Sequence, residues 1–136
     1  MEPNALYDKN ALMALVREKA LQFGEFTLVS GKQASYYLDG KQITLDAAGA
    51  RILGEGILDL LADQLPDAVG GMSIGADPIT AAVLTLAGGR DLPLRGFMVR
   101  KEPKGHGLER YIEGPVQAGD RVVILEDVVT TGGSSL

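Results

Sequence analysis

The chain has 136 residues, 46% of them hydrophobic and 23% charged, and its formal net charge at pH 7 is −5. This length suits one globular domain with a sizeable core, and the acidic balance argues against a nucleic-acid partner. The absence of cysteine excludes disulfides and thiolate metal sites. Without a recognisable signal peptide or an apolar run of the ~18 residues that a membrane span needs, we expect a cytoplasmic protein with no membrane partner.

The N-terminal third predicts a helix and a β-hairpin. Apolar residues at helical spacing predict a helix over residues 10–23, with Gly24 as its stop. Two strand-like runs, 26–29 and 36–39, flank a polar turn at residues 30–33 and predict the hairpin.

Helices and strands alternate in the rest of the chain. Asp46 is expected to cap a helix that runs to about Gln64. Asp77 is expected to cap another, with Pro78 at its first position and Gly88-Gly89 at its end. This alternation indicates an α/β fold, a mostly parallel sheet with helices on both faces. Its strands are predicted at residues 68–74, 94–99, 111–112 and 121–125.

Three polar segments, 73–77, 100–110 and 126–135, follow predicted strand ends, where parallel α/β sheets bind their ligands. In the last segment, Glu126 and Asp127 precede a Gly-, Ser- and Thr-rich loop that should open a helix. Backbone N–H groups of such a loop bind phosphate, while carboxylates suit hydroxyl groups or a metal-bearing ligand. The pattern therefore predicts a sugar phosphate site. The loop alone leaves open an alternative, a solvated acidic turn with an ordinary Ser/Thr helix cap.

Segment 126–135 lacks two familiar phosphate-binding motifs. A P-loop would need a lysine after its second glycine, and none follows Gly132 or Gly133. A dinucleotide-binding glycine motif would begin directly after the strand, where Glu126 and Asp127 stand.

Segment 100–110 gathers positive charge within an acidic chain. Its proline and glycines and its lack of hydrophobic periodicity predict an exposed, mobile loop. Lys101, Lys104 and His106, which is the chain's only histidine, are spaced to converge on a polyanion when the loop closes. Such cations would stabilise a developing pyrophosphate leaving group. The alternative is an ordinary solvated charged loop.

The segment from Glu126 to Ser134 resembles the 5-phosphoribosyl 1-diphosphate (PRPP) signature of type I phosphoribosyltransferases. Two further segments, 23–37 and 100–107, are similar to the orotate phosphoribosyltransferase family, and the similarity runs from about residue 20 to the end. The resemblance implies transfer of the phosphoribosyl group from PRPP to orotate, giving orotidine 5′-monophosphate and diphosphate in pyrimidine biosynthesis. It also implies Mg²⁺ as a cofactor, carried by PRPP rather than bound directly by the protein.

The fold implied by the resemblance is a single type I phosphoribosyltransferase domain. Residues 1–45 would form a hood from the N-terminal helix and the hairpin. Residues 46–136 would form the α/β core, a mostly parallel sheet flanked by helices.

The resemblance also implies roles for individual residues. The 5-phosphate would lie on residues 130–134, and Glu126 and Asp127 would hold the ribose hydroxyls. Lys104 would assist the leaving group as a catalytic residue, together with His106 and Asp127. The complete implied PRPP set is Arg100, Lys101, Lys104, His106, Glu126, Asp127, Val128, Val129, Thr130, Thr131, Gly132, Gly133 and Ser134.

Two further implications concern orotate and a second subunit. Orotate is expected to contact Thr130 and the hairpin residues Lys32, Tyr36 and Tyr37. Lys101 would serve the site of its own subunit, whereas Arg100, Lys104 and His106 would reach the diphosphate in the neighbouring subunit. The resemblance therefore implies a homodimer.

The chain departs from one branch of the family at several positions. That branch has lysine at Val29 and Tyr-Lys at Ile74 and Gly75, so we assign no PRPP contact to these side chains. The turn Gly75–Pro78 matches another branch, and its backbone is expected to approach the diphosphate directly. The family's arginine for the orotate carboxylate falls beyond Leu136, so we expect the natural protein to continue past this residue.

Two other functions remain open from the sequence. One is a purine-salvage phosphoribosyltransferase, against which the hairpin and the basic loop argue. The other is a non-catalytic PRPP-sensing regulator, which would need a nucleic-acid surface that the acidic balance does not suggest. Base competition would test the first and RNA or DNA binding the second.

Overall fold

The computed structural model describes residues 7–105 and 111–128, which form two β-sheets and four α-helices. The first elements are helix α1 (Lys9–Leu15), continued by a π-helical turn (Val16–Ala20), and strands β1 (Leu21–Thr27) and β2 (Gln33–Leu38). Next come α2 (Lys41–Thr44), α3 (Ala47–Leu61) with a 3₁₀ turn (Ala62–Gln64), β3 (Ala68–Met72) and α4 (Ala76–Gly89). The last are strands β4 (Arg95–Val99), β5 (Ile112–Glu113) and β6 (Val122–Ile124).

The predicted hairpin is confirmed, but the predicted end of the first helix is wrong. The helical segment stops at Ala20, and Leu21 already pairs with Leu38 in the antiparallel β1–β2 sheet. Phe23 lies opposite Tyr36 and is 78% exposed, so it is not a core residue of a helix. Gly24 lies at a bulge with φ +156° rather than at a helix stop. Pairing with a distant strand overrides the helical spacing of this segment.

The predicted cap of α3 is confirmed. An oxygen of the Asp46 carboxylate accepts a hydrogen bond from the Gly49 N–H at 3.1 Å. The other oxygen pairs with Lys19 Nζ at 2.9 Å and so ties α3 to the π-helical turn. The hydrogen bond from Lys19, followed by that from the Gly49 backbone, lowers the pKa of Asp46 below its ordinary value.

Asp46→Ala is expected to lower the urea midpoint of unfolding at pH 7, because the cap and the ion pair are both lost. Since the folded-state pKa is depressed, the contribution is complete above the unfolded pKa of about 3.9 and disappears as the pH falls through the folded value. The difference from wild type should therefore shrink below about pH 4. Asp46→Asn keeps the cap without the charge and should lose less. Equal midpoints for wild type and Asp46→Ala at pH 7 would contradict this.

The second sheet is mostly parallel and has the strand order β5-β4-β3-β6. Strand β3 pairs in parallel with β4 and β6, while β5 runs antiparallel to β4. Helix α4 connects β3 to β4 and packs on both strands, and α3 packs on α4. The predicted α/β sheet is thus confirmed, with strand bounds within two residues of the predicted ones. Helices on both of its faces stay a prediction.

The core lies between this sheet and the helices α3 and α4. Leu58, Val69 and Val83 are the largest fully buried side chains and come from α3, β3 and α4. Ile79, Ala87 and Leu125 complete the buried cluster.

Of the helices that the structure describes, none is long and apolar enough to cross a bilayer.

The start of α4 differs from the prediction. The helix begins at Ala76, so Asp77 lies inside the first turn and does not cap it. The Asp77 N–H donates to the Ile74 carbonyl, and its carboxylate accepts from the Ser73 hydroxyl at 3.1 Å. Because the turn already starts at Ile74, the N-terminus of α4 lies closer to the end of β3 than predicted. Asp77 still suits the positive end of the helix dipole.

Candidate active site

A polar cleft of about 380 Å³ lies at the carboxyl ends of the parallel strands. Segments after β3, β4 and β6 line it, as predicted for a ligand site of this sheet. One further wall comes from α2. The lining residues are Lys41, Met72, Ser73, Ile74, Gly75, Lys101, Glu126, Asp127 and Val128.

The acidic pair is positioned by the end of β6. The Leu125 N–H donates to the Gly70 carbonyl at 2.7 Å, and the Leu125 side chain belongs to the buried core. This anchor fixes the chain directly before Glu126 and Asp127. The two carboxylates therefore leave a rigid strand rather than a free loop.

The absence of a side chain at Gly75 leaves room for the Asp127 carboxylate. A Cβ atom added to Gly75 would meet an oxygen of Asp127 and would lie 2.6 Å from its Cγ. The carboxylate thus occupies the space that a side chain at position 75 would need. The turn after β3 and the acidic pair after β6 are in direct contact.

Asp127 is a mostly buried carboxylate with a cationic partner. Its side chain is 14% exposed, and Oδ2 lies 3.2 Å from Lys41 Nζ. Its backbone N–H donates to Glu126 Oε1 at 3.1 Å. Burial opposes ionisation, but the side-chain hydrogen bond with Glu126 and the hydrogen bond and charge of Lys41 outweigh it and lower the pKa of Asp127. At neutral pH this group is an acceptor for hydroxyl donors.

The basic segment after β4 divides its cations between two places. Lys101 lines the cleft beside the acidic pair. Arg100 Nη1 and Lys104 Nζ instead lie 3.5 and 3.6 Å from Glu113 Oε1 on β5. The structure therefore brings Lys101 to the cleft, while Arg100 and Lys104 remain on the β4–β5 hairpin. His106 lies outside the described residues.

Other predicted site residues are only partly described. Val128 lines the cleft and is exposed, whereas residues 129–134, with Thr130 among them, fall outside the described range. The orotate assignments Lys32, Tyr36 and Tyr37 lie on the hairpin and do not line the described part of the cleft. Their contact with orotate stays a prediction.

The two hairpin tyrosines point in different directions. Tyr36 and Tyr37 are neighbours in β2, and neighbours in a strand face opposite sides of the sheet. The Tyr37 ring packs near Phe26, with 5.8 Å between the ring centroids. A ligand on one side of the hairpin therefore meets one of the two rings.

Sequence reasoning missed Lys41 as a site residue. Its helix α2 has 4 residues, too few for hydrophobic periodicity to reveal. The available signal was a basic residue two positions after the predicted second strand of the hairpin. Lys41 and Asp127 are 86 positions apart, so no local pattern could pair them.

The acidic groups suit a metal that arrives with its ligand. Within residues 7–105 and 111–128, no group of three or more His, Cys, Asp or Glu side chains could hold a metal ion. Mg²⁺ commonly binds one or two carboxylates together with substrate phosphates and waters. Glu126 and Asp127 could supply the carboxylates of such a site, in which the substrate brings the remaining ligands.

A second cleft, of about 420 Å³, lies between α2, α3 and α4. Alanine, leucine and proline side chains dominate its lining, and neither Glu126 nor Asp127 contributes to it. An anionic, hydroxyl-bearing ligand needs cations and hydroxyl acceptors, which the cleft at Asp127 supplies. The candidate site is therefore the polar cleft.

No family model matches the chain. The chain is 56% identical over 135 residues to the orotate phosphoribosyltransferase of Rhodopirellula baltica, covering 95% of this chain and 70% of that protein. It is 43% identical over 134 residues to the enzyme of the same name from Aquifex aeolicus, covering 96% and 73%.

A solved structure of similar fold is orotate phosphoribosyltransferase from Mycobacterium tuberculosis. Its complex with Fe(III) dicitrate matches with a TM-score of 0.77 at 38% identity, covering 92% of this chain and 70% of that chain. Its complex with PRPP matches with a TM-score of 0.70 at 33% identity, covering 91% and 67%.

The sheet, its flanking helices and these structural matches define the type I phosphoribosyltransferase class. At the identity and coverage of the curated relatives, the chain belongs to the orotate phosphoribosyltransferase family. The family resemblance of the sequence motifs is confirmed.

Proposed function

We propose that this protein transfers the 5-phosphoribosyl group from PRPP to orotate in pyrimidine biosynthesis. The observation that carries the proposal is the cleft in which the Asp127 carboxylate lies between Gly75 and Lys41, in a chain 56% identical to a named orotate phosphoribosyltransferase. A relative of 33% identity has been solved with PRPP bound, which supports the choice of donor.

The ribose end of the reaction suits the acidic pair. The bond from ribose C1 to the diphosphate oxygen breaks, and the diphosphate leaves with the bonding electrons. A ring nitrogen of orotate forms the new bond to C1 and releases its proton. Positive charge develops on the sugar in between, so Glu126 and Asp127, which hold its hydroxyls, also stabilise it electrostatically. No nucleophile from the protein is required.

The leaving diphosphate requires cations. Lys101 is proposed to contact PRPP from the same subunit, since it lines the cleft with Asp127. Arg100 and Lys104, whose side chains lie on Glu113, are proposed to serve the site of a second copy, together with His106. The function is therefore assigned to a homodimer. Closure of these loops would also exclude water, which otherwise hydrolyses PRPP.

The rest of the binding site is proposed from the family pattern. Residues 130–134 would cradle the 5-phosphate, and Thr130 would lie beside orotate, with Lys32, Tyr36 and Tyr37 as further contacts. Mg²⁺, brought by PRPP, would neutralise part of the diphosphate charge. Glu126 and Asp127 are the groups that would face it or its bound water.

The proposed organisation is a single domain, with residues 1–45 as hood and 46–136 as core. The separate two-stranded sheet and the contact of α2 with α3 support this division. A biosynthetic role like that of its relatives supports a cytoplasmic location.

The reaction is tested with full-length protein. Orotate absorbance in the ultraviolet should fall only when PRPP and Mg²⁺ are both present, and the product should be orotidine 5′-monophosphate. Adenine and hypoxanthine should neither react nor compete, which separates this function from purine salvage. An absence of orotate consumption, or RNA or DNA binding at moderate salt, would favour the regulatory alternative.

A further inference from the structure

Lys41 lies on a backbone segment that is fixed at both ends. Before it, the Asp39 N–H donates to the Ala20 carbonyl at 2.9 Å and holds the end of β2 on the π-helical turn. After it, Ile43 and Thr44 are buried, and α2 packs against α3. The position of the Lys41 backbone is therefore set by the fold rather than by its own side-chain contact.

The Lys41 ammonium group reaches from this anchor into the cleft. Its Nζ lies 3.2 Å from Asp127 Oδ2 and donates a hydrogen bond to it. The Lys41 side chain is 47% exposed, whereas the carboxylate that it meets is 14% exposed. Asp127 thus lies between the Gly75 backbone on one side and the Lys41 ammonium group on the other.

This arrangement fixes one orientation of the carboxylate. The side-chain hydrogen bond of Asp127 with Glu126 and the Lys41 ammonium group both favour the ionised carboxylate. Because Gly75 has no side chain, the Asp127 carboxylate has room beside it. Lys41 holds one of the two oxygens of this carboxylate. Fixed acceptors bind hydroxyls better than mobile ones, because less rotational freedom is lost on binding.

We propose that Lys41 is a positioning residue for PRPP. It holds the Asp127 carboxylate in the orientation that accepts the ribose hydroxyls and so links α2, which follows the N-terminal hairpin, to the sugar site. This inference rests on the proposed function of the cleft. It adds a residue from outside the three motif segments.

Two other roles make different predictions. An exposed ion pair is worth little, so a merely structural Lys41 would leave PRPP binding unchanged. A Lys41 that moves to the diphosphate would bind PRPP directly and would act without Asp127. Positioning requires that Lys41 act only through Asp127.

The first measurement is the affinity of full-length protein for PRPP with Mg²⁺, by calorimetry. Lys41→Met, which keeps the length and removes the charge, is expected to weaken PRPP binding about 10-fold, and Lys41→Arg to restore it to within about threefold. Lys19→Met is the matched control, because it breaks another long-range lysine–aspartate pair, with Asp46, and neither of these residues lines the cleft at Asp127. This control should bind like wild type. Melting temperatures report whether each variant is folded.

The second measurement is a double-mutant cycle. In an Asp127→Asn background, adding Lys41→Met should change PRPP affinity less than about twofold, because the two residues act as one unit. A full further loss in that background would mean a direct contact and would overturn positioning. Where Asp127→Asn binds too weakly for calorimetry, the same cycle is read in kcat/KM for PRPP. A further loss of more than about twofold on adding Lys41→Met there overturns positioning.

The outcomes separate this inference from the function on which it rests. Wild-type protein that fails to bind PRPP refutes the proposed function. Wild-type protein that binds PRPP, with Lys41→Met binding equally well, refutes only the role of Lys41.

Discussion

Lys104→Ala is expected to lower kcat about 100-fold while changing the Kd for orotate less than about threefold. The reason is that the charge which Lys104 would meet develops on the diphosphate only as its bond to ribose breaks. In the structure the Lys104 side chain is 68% exposed, and its Nζ lies 3.6 Å from Glu113 Oε1, so the ammonium group can leave this partner readily. Steady-state kinetics and orotate calorimetry measure the two quantities, with Lys9→Ala as an exposed-lysine control. Equal losses in both would remove Lys104 from the leaving-group role.

Mixed dimers decide which site Lys104 serves. Lys104→Ala and Asp127→Asn proteins, each nearly inactive alone, should recover about a quarter of wild-type activity when refolded together, because half of the dimers then contain one intact site. The intact site combines Asp127 from one subunit with Lys104 from the other. No recovery, despite mixed dimers in native mass spectra, would show that the loop acts within its own subunit.

Gly75→Ala is expected to lower kcat/KM for PRPP about 100-fold with little loss of stability. The added methyl group would meet the Asp127 carboxylate. Because this carboxylate is the terminal group of a side chain, it can rotate away from the methyl group. The fold then survives while the sugar acceptor moves out of place. PRPP saturation kinetics and urea unfolding measure the two effects. Wild-type kinetics in this variant would mean that the position of Asp127 does not matter.

Gly71→Ala is the matched control, because the same methyl group there meets atoms that cannot move. It would meet the Leu125 carbonyl oxygen and would lie 2.8 Å from the Ala76 Cβ, both held by the sheet and α4. Overpacking of this kind costs about 3 kcal/mol of stability. The two glycines should therefore separate loss of function from loss of folding.

Local chemistry explains which elements could be predicted from the sequence. Asp46 caps α3 through its own N-terminal turn, and the apolar runs around Val69 and Val123 form strands that pair in parallel. The acidic pair and the basic loop follow strand ends, so the topology of the sheet brings them to one edge. These features depend on neighbours in sequence or on a general rule of the fold.

The features that sequence reasoning missed depend on distant partners. The helix over residues 10–23 is cut short because Leu21 pairs with Leu38, which helical spacing cannot reveal. The ion pair of Lys41 with Asp127 joins two elements from different ends of the chain. Such contacts are decided by packing, and only the three-dimensional structure displays them.

Glu113 offers one carboxylate oxygen to two cations, Arg100 at 3.5 Å and Lys104 at 3.6 Å. Within this described cluster of three side chains, one negative charge meets two positive ones, so the cluster itself keeps one unit of positive charge. A polyvalent anion approaching this cluster is attracted before it touches anything, over about one Debye length of 8 Å at physiological salt. The Glu113 carboxylate thus holds Arg100 and Lys104 in place while leaving part of their positive charge available to attract a polyvalent anion.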